Sequence, residues 1–429
     1  MLSLDYRNPI PSLIGAFFAW KVFLSAIALG SSVGPAYDTS STLLSPEILS
    51  SRESPFDLAT KLTRWDSIYF IQASRRGYLF EQEWAFGSGL PTVISSLAQV
   101  LSIFGIQAHP SLESSIGTCV AHTSHLLSAL VLYELGLVMW KNQRLSFVAA
   151  LLHVLSPAGL FLSAPYNEST YALLSFSGYL FLAKGLLGQK KTFAHDVSLV
   201  ASGMWFGFAT TFRSNGLLNG IPFAIALVQE LFTTPSLSSI RRRFALLIGG
   251  LAVAAGFIIP QLVAYQTFCS TPSPTNPRPW CTSRLPSIYS FVQGHYWNVG
   301  FLRYWTPSNI PLFLLAMPML YLLIKSGLEF IWRPLSLANE PSITGTSSRQ
   351  AMLLQAMASS QLILAVLAIT NYHIQIITRI SSGYPLWYWW LTGLIIDSKT
   401  STVGSNIVRF MVMYATIQGV LFASFLPPA

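Results

Sequence analysis

The sequence predicts an all-α integral membrane protein that crosses the bilayer many times. Three observations predict it. Hydrophobic residues make up 52% of the 429 and charged residues 10%, whereas an ordinary globular domain carries roughly 25% charged residues. Apolar runs long enough to be membrane spans recur along the whole chain. Lys and Arg gather in short clusters between particular runs, as they do in cytoplasmic loops. With lipid as the main solvent, the net charge of +9 points to loops and anionic headgroups and not to nucleic acid.

The apolar runs cover residues 10–30, 116–140, 145–163, 171–187, 197–212, 216–232, 244–265, 310–331, 352–370, 386–396 and 407–426. Roughly ten to twelve spans are expected, since about 20 apolar residues cross a bilayer and fewer suffice inside a bundle. The first run lacks a small-residue cleavage site and carries Lys21, so it reads as a signal anchor and not a cleaved leader. Residues 91–106 are short and read as re-entrant or interfacial. The basic clusters are Lys141 with Arg144, Lys190-Lys191, Arg241-Arg242-Arg243, Lys325 with Arg333 and Arg349, and Lys399. Placing them in the cytoplasm puts residues 31–90, 266–309 and 371–385 in the lumen. The chain then reads as one polytopic domain, 1–429, with three substantial luminal segments.

The first luminal segment holds Thr63-Arg64-Trp65-Asp66-Ser67-Ile68-Tyr69-Phe70. Asp66 is one of only 16 acidic residues, and it lies among rings at an apolar boundary. The second holds an aromatic stretch, 288–305, read either as an interfacial belt or as a greasy wall for a lipid-linked substrate. Cys269 and Cys281 flank its proline-rich loop, 271–279. They are expected to form a disulfide in an oxidising lumen, with two free thiols as the alternative. Cys119, inside an apolar run, reads as a packing residue.

Some motifs are missing. The sequence has no GxxxxGK[ST] phosphate loop, no HExxH, no cysteine–histidine metal cluster and no Asp-x-Asp pair. This argues against a soluble enzyme of ATP or nucleotide sugars and for one that takes its activated group from a lipid phosphate. No metal or cofactor is expected. Such a transfer needs a base for the acceptor hydroxyl, cations for the departing phosphate and apolar walls for the lipid. Asp66 is the candidate base. Glu81, Glu83 and Glu168 are candidates to assist it or to bind acceptor hydroxyls, and Arg213, His295, His373 and Arg379 to hold phosphate. Each has a plainer alternative. Asp66 could be a helix N-cap or half of a surface ion pair, and Glu81 and Glu83 a solvated loop face. His122, His125 and His153 read as hydrogen-bonded packing residues. Asn167-Glu168-Ser169 is a glycosylation sequon hard against two spans.

These residues resemble the PIG-V family of glycosylphosphatidylinositol (GPI) mannosyltransferases. The landmarks are Trp65-Asp66, Gly77-Tyr78 with Glu81, Ser163 to Ser169, Arg213-Ser214-Asn215-Gly216, Pro279-Trp280-Cys281, Tyr296-Trp297-Asn298-Val299-Gly300, and His373 to Pro385. One departure is Phe86-Gly87-Ser88-Gly89, where the family usually has Phe-Pro after Ala-Phe. The resemblance implies an endoplasmic-reticulum enzyme of the GT-C glycosyltransferase fold. Its donor would be dolichyl-phosphate mannose and its acceptor a mono-mannosylated glucosaminyl-phosphatidylinositol, the GPI-anchor precursor. The product would be an alpha-1,6 bond formed with inversion on the luminal face. It adds Trp65, Tyr296 and Trp297 to the substrate-binding candidates and implies a small membrane partner subunit. Two rival readings are a lipid transporter or scramblase and a non-catalytic assembly subunit.

Overall fold

The computed structural model describes residues 5–31, 58–106, 111–188, 190–270, 278–337 and 345–427. Residues 32–57 of the first predicted luminal segment and most of the proline-rich loop (271–277) lie outside the described residues. Among the described residues all regular structure is helical. The helices are α1 (Pro9–Gly30), α2 (Leu58–Leu62), α3 (Asp66–Arg76), α4 (Gly89–Ile103), α5 (Leu112–Trp140), α6 (Gln143–Val154), α7 (Asn167–Leu187) and α8 (Phe193–Phe212). They continue as α9 (Ile221–Leu231), α10 (Leu237–Cys269), α11 (Ile288–His295), α12 (Ile310–Trp332), α13 (Gly345–Thr370), α14 (Ile377–Ile380), α15 (Leu386–Ile396) and α16 (Ser401–Ala423).

Seven of these are long and apolar enough to cross a membrane: α1, α5, α7, α10, α12, α13 and α16. The span count expected from the sequence is therefore not reached by length and composition alone. The reason lies in the shorter segments. The run 145–163 is two pieces, α6 and a 3-10 turn at Gly159–Leu162. They are separated at Pro157, which cannot continue the helical hydrogen-bond ladder. The run 216–232 likewise opens as a 3-10 segment, Ser214–Gly220, before α9. The helix in the 91–106 region, α4, has 15 residues and packs on α3, α5 and α8.

Lipid is the solvent that explains the surface. On α10 the large residues Phe244, Leu247, Leu251, Ile258 and Leu262 are exposed, a face no aqueous protein would leave bare. The inner face of α10 packs on α8 through glycines. A Cβ on Gly256 would lie 2.1 Å from the carbonyl oxygen of Gly207, so only small residues let these two helices meet. Cys119 is exposed, which corrects its reading as a packing residue. Lys21 is buried within α1, and its ammonium donates to the carbonyl of Leu162 (2.8 Å) and to Ser163 Oγ (2.7 Å). His125 and His153 are buried and hydrogen-bonded, His153 to Ser128 and Tyr388.

The bundle has two chemically different ends. At one, Arg241 and Arg242 pair with Asp196, Lys191 pairs with Glu230, and Arg349 donates to the carbonyl of Gly188. At the other lie the first turns of α3, α5 and α7 and the last turns of α8, α10 and α16. There Cys269 and Cys281 are joined as a disulfide, with Cα atoms 5.7 Å apart.

Candidate active site

The site is built where four chain turns meet at the less basic end. The first is the start of α3. Trp65 precedes the helix with φ 56° and ψ −129°, a conformation that favours glycine. The backbone N–H of Asp66 donates to the Tyr166 hydroxyl (3.0 Å), which in turn donates to the carbonyl of Arg64 (3.1 Å). Asp66 is thus the first helical residue and not the N-cap, which corrects one of its plainer readings. Its carboxylate sits at the positive end of an 11-residue helix, where a negative charge is favoured. The carboxylate accepts from Arg379 Nη1 at 3.2 Å, and about a third of the Asp66 side chain stays exposed (34%).

Arg379 closes α14. Its Nε lies 3.6 Å from Glu168 Oε1, and its guanidinium covers the rings of Phe161 (4.5 Å) and Tyr166 (5.5 Å). Burial opposes its charge, but Asp66 and Glu168 outweigh that and raise its pKa. Glu168, in the first turn of α7, has no exposed surface and accepts from Arg213 Nη1 at 2.7 Å. Arg213 leaves the end of α8 in extended backbone. The four side chains form a line of alternating charge, Asp66–Arg379–Glu168–Arg213.

A cavity of about 600 Å³ opens over this line. Trp65, Phe86, Phe161 and Trp297 supply apolar wall, while Asn215, Tyr289, Gln293, His373, Gln375 and Gln418 supply neutral polar groups. Several of the polar atoms here lack a partner among the described residues: Asn167 Oδ1, Glu168 Oε2, His373 Nε2 and Gln418 Oε1. A buried polar atom left unbonded costs about 1–3 kcal/mol, so their gathering marks a place made for a polar ligand. Burial lowers the pKa of His373, and nearby Arg379 acts the same way, against the Trp297 backbone bond and Asp66. The imidazole is therefore neutral and offers one donor and one acceptor.

The candidates divide. Trp65, Asp66, Arg213, Trp297, His373 and Arg379 line the cavity, and Glu168 lies directly beneath it. Glu81 is elsewhere. Its carboxylate accepts from Trp280 Nε1 (2.8 Å), Arg278 Nη1 (2.6 Å) and the Tyr296 hydroxyl (3.1 Å). Glu83 accepts from Arg76 Nη2 at 2.6 Å. Both glutamates are buried, which corrects the reading of a solvated loop face. His295 stacks on Phe291 (4.9 Å) outside the cavity lining. Among the described residues no group of three His, Cys, Asp or Glu side chains is placed to hold a metal ion.

Residues 23–429 match the family described as Mannosyltransferase (PIG-V). The chain belongs to that family. A relative from Chaetomium globosum named GPI mannosyltransferase 2 is 50% identical, covering 99% of this chain and 97% of its own. One of the same name from Gibberella zeae is 46% identical, covering 99% of both. Among solved structures, the apo Archaeoglobus fulgidus oligosaccharyltransferase aligns with a TM-score of 0.48 and 15% identity. That alignment covers 95% of this chain and 56% of the archaeal one, so the chain spans little more than half its length.

Two features of this GPI mannosyltransferase follow from local packing. The first is the turn Phe86-Gly87-Ser88-Gly89, whose glycines have a steric basis. Gly87 has φ +89°, and a Cβ there would lie 2.5 Å from the carbonyl oxygen of Phe212. The glycines let this turn lie against the end of α8, next to Arg213. The sequon is closed off: Asn167 is buried and its Nδ2 donates to the carbonyl of Phe86 at 2.7 Å.

Proposed function

We propose that the cavity transfers mannose from dolichyl-phosphate mannose to a mono-mannosylated glucosaminyl-phosphatidylinositol, forming an alpha-1,6 bond on the luminal face of the endoplasmic-reticulum membrane. The observation that carries this reading is the placement of Asp66. It is a half-buried carboxylate at the edge of a cavity that also holds two guanidinium groups and apolar walls. In this reading the acceptor hydroxyl attacks C1 of the donor mannose as the C1–O bond to phosphate breaks. Asp66 takes the hydroxyl proton. A single base and one in-line displacement invert the configuration at C1, turning a beta-linked donor into an alpha product. No metal or other cofactor enters. The fold is read as GT-C, and a small membrane partner subunit is part of the reading, as it is for the family.

Positioned general bases commonly contribute about a hundred- to ten-thousandfold. Asp66→Asn keeps the shape and can still accept from Arg379, but it cannot take the proton. The test is mannose transfer in microsomes given dolichyl-phosphate mannose and the mono-mannosylated precursor. Asp66→Asn is expected to express and insert normally while losing at least about a hundredfold in turnover. Near-normal transfer by well-expressed Asp66→Asn would end the base assignment, and it is the outcome expected of a non-catalytic assembly subunit. A transporter or scramblase would move lipid without making the new glycosidic bond at all.

A further inference from the structure

The line of four charges has inner members flanked by an opposite charge on both sides and end members flanked on one. Arg379 is held from two sides, by Asp66 Oδ2 at 3.2 Å and Glu168 Oε1 at 3.6 Å, with its faces covered by Phe161 and Tyr166. Glu168 is held by both guanidiniums and has no exposed surface. The two ends differ. Asp66 is paired through Oδ2, and Arg213 through Nη1 alone, so its Nη2 and Nε bond nothing among the described residues. Both ends line the cavity. The fold thus presents one open anion and one open cation to the same space, joined by an inner ion pair.

We propose that Arg213 receives the phosphate of the lipid-linked donor, and that Arg379 and Glu168 are positioning residues that fix the base and the phosphate site relative to each other. This rests on the donor and base assigned above. The charge balance of the transfer calls for such a division. When the C1–O bond breaks, its electron pair stays on the phosphate oxygen, and the lipid phosphate gains one negative charge. The acceptor's proton goes to Asp66, which loses one. Negative charge therefore disappears at one end of the line and appears at the other. A cation is needed where it appears, and Arg379 already stands between two carboxylates, at the end where it disappears, whereas Arg213 faces one. Arg213 can also meet a phosphate through Nη2 and Nε while Nη1 stays on Glu168, so the buried carboxylate keeps its hydrogen bond. The neighbouring hydroxyls suit the same ligand: Ser214 donates to Tyr289 at 2.9 Å, and both line the cavity beside Arg213.

Binding of dolichyl phosphate, the sugar-free product, separates the roles without turnover. The purified protein in lipid nanodiscs is titrated with dolichyl phosphate, with dolichol as the control lipid. Arg213→Ala is expected to weaken dolichyl phosphate binding at least about tenfold and to raise the donor KM. Arg213→Lys keeps a charge beside Glu168 but loses the planar fork, and is expected to fall between Arg213→Ala and wild type. Arg379→Lys is expected to bind dolichyl phosphate within about twofold of wild type while its kcat falls, the split of a positioning residue and not of a phosphate ligand. Loss of dolichyl phosphate binding in Arg379→Lys with retention in Arg213→Ala would overturn the assignment, as would equal binding by all variants. In those cases the donor reading stands, because wild type still prefers dolichyl phosphate. Wild type that fails to tell dolichyl phosphate from dolichol would overturn the donor reading and this one with it.

Discussion

Trp65 occupies a backbone conformation that few side chains tolerate, with φ 56° directly before Asp66. Such positions cost about 1–3 kcal/mol and persist only when their surroundings hold them. Here the Tyr166 hydroxyl bridges the residues on either side of Trp65, and the Trp65 ring meets Phe425 edge-on at 5.1 Å. Glycine would remove the strain but also the ring; alanine would remove the ring and keep the strain. Trp65→Gly is therefore expected to be more thermostable than Trp65→Ala by about 1 kcal/mol, with transfer impaired in both. Equal stability of the two variants would show that the turn relaxes and stores no strain. At this scale the ionisable part of the site was legible in the sequence, because a charge in an apolar chain stands out. The neutral polar lining was not. Gln293 and Gln418 carry no signal apart from the surroundings that the fold gives them, and Asn215 and Gln375 stood out only within the stretches that carry the family resemblance. Glu81 and Tyr296 fall outside the cavity lining for a related reason. Residue type identifies a polar contact but not its partner: Tyr296 donates to Glu81, which also accepts from Trp280 and Arg278.

At the scale of elements, Glu81 ties together pieces far apart in the chain. Its carboxylate joins the 3-10 segment Glu81–Phe86 to Arg278 and Trp280 beside the disulfide and to Tyr296 at the end of α11. These same pieces supply Phe86, Gln293 and Trp297 to the cavity, so the cluster braces one wall. Burial opposes ionisation of Glu81, but the bonds from Trp280, Arg278 and Tyr296 outweigh it and hold the carboxyl below its usual 4.5. A depressed folded pKa adds stability that is fully present above the unfolded value and lost as pH falls through the folded one. Wild type is therefore expected to lose thermal stability on acidification below about pH 4.5 more steeply than Glu81→Gln, which starts lower at neutral pH. Thermal unfolding followed by tryptophan fluorescence across this range checks the sign. Parallel profiles for the two proteins would mean that Glu81 does not contribute to the acid sensitivity.

The whole molecule places the basic clusters around Lys191 and Arg241-Arg242 at the end opposite its cavity, a polarity the sequence carried in its loops before any helix was placed. The all-helical bundle was legible from missing charge and recurrent apolar runs, because those reflect the solvent. The lengths of the individual helices were not, because a proline or a 3-10 segment inside an apolar run changes the backbone without changing hydropathy. The polarity has a direct consequence for orientation. Arg241, Arg242, Lys191 and Arg349 gather at one end, and such clusters are retained in the cytoplasm. The proposed transfer requires the cavity, at the other end, to open toward the lumen. Thr234 is exposed near the basic end and Thr306 near the cavity end, so each gives a reachable cysteine. In a Cys119→Ser background, sealed microsomes treated with a membrane-impermeant maleimide are expected to label Thr234→Cys at once. Thr306→Cys should label only after the membrane is permeabilised. Keeping both positions away from the disulfide avoids exchange with Cys269 and Cys281. The reverse labelling pattern would put the cavity in the cytoplasm. Asp66 would then face the wrong compartment for the proposed transfer, however well its variants fold.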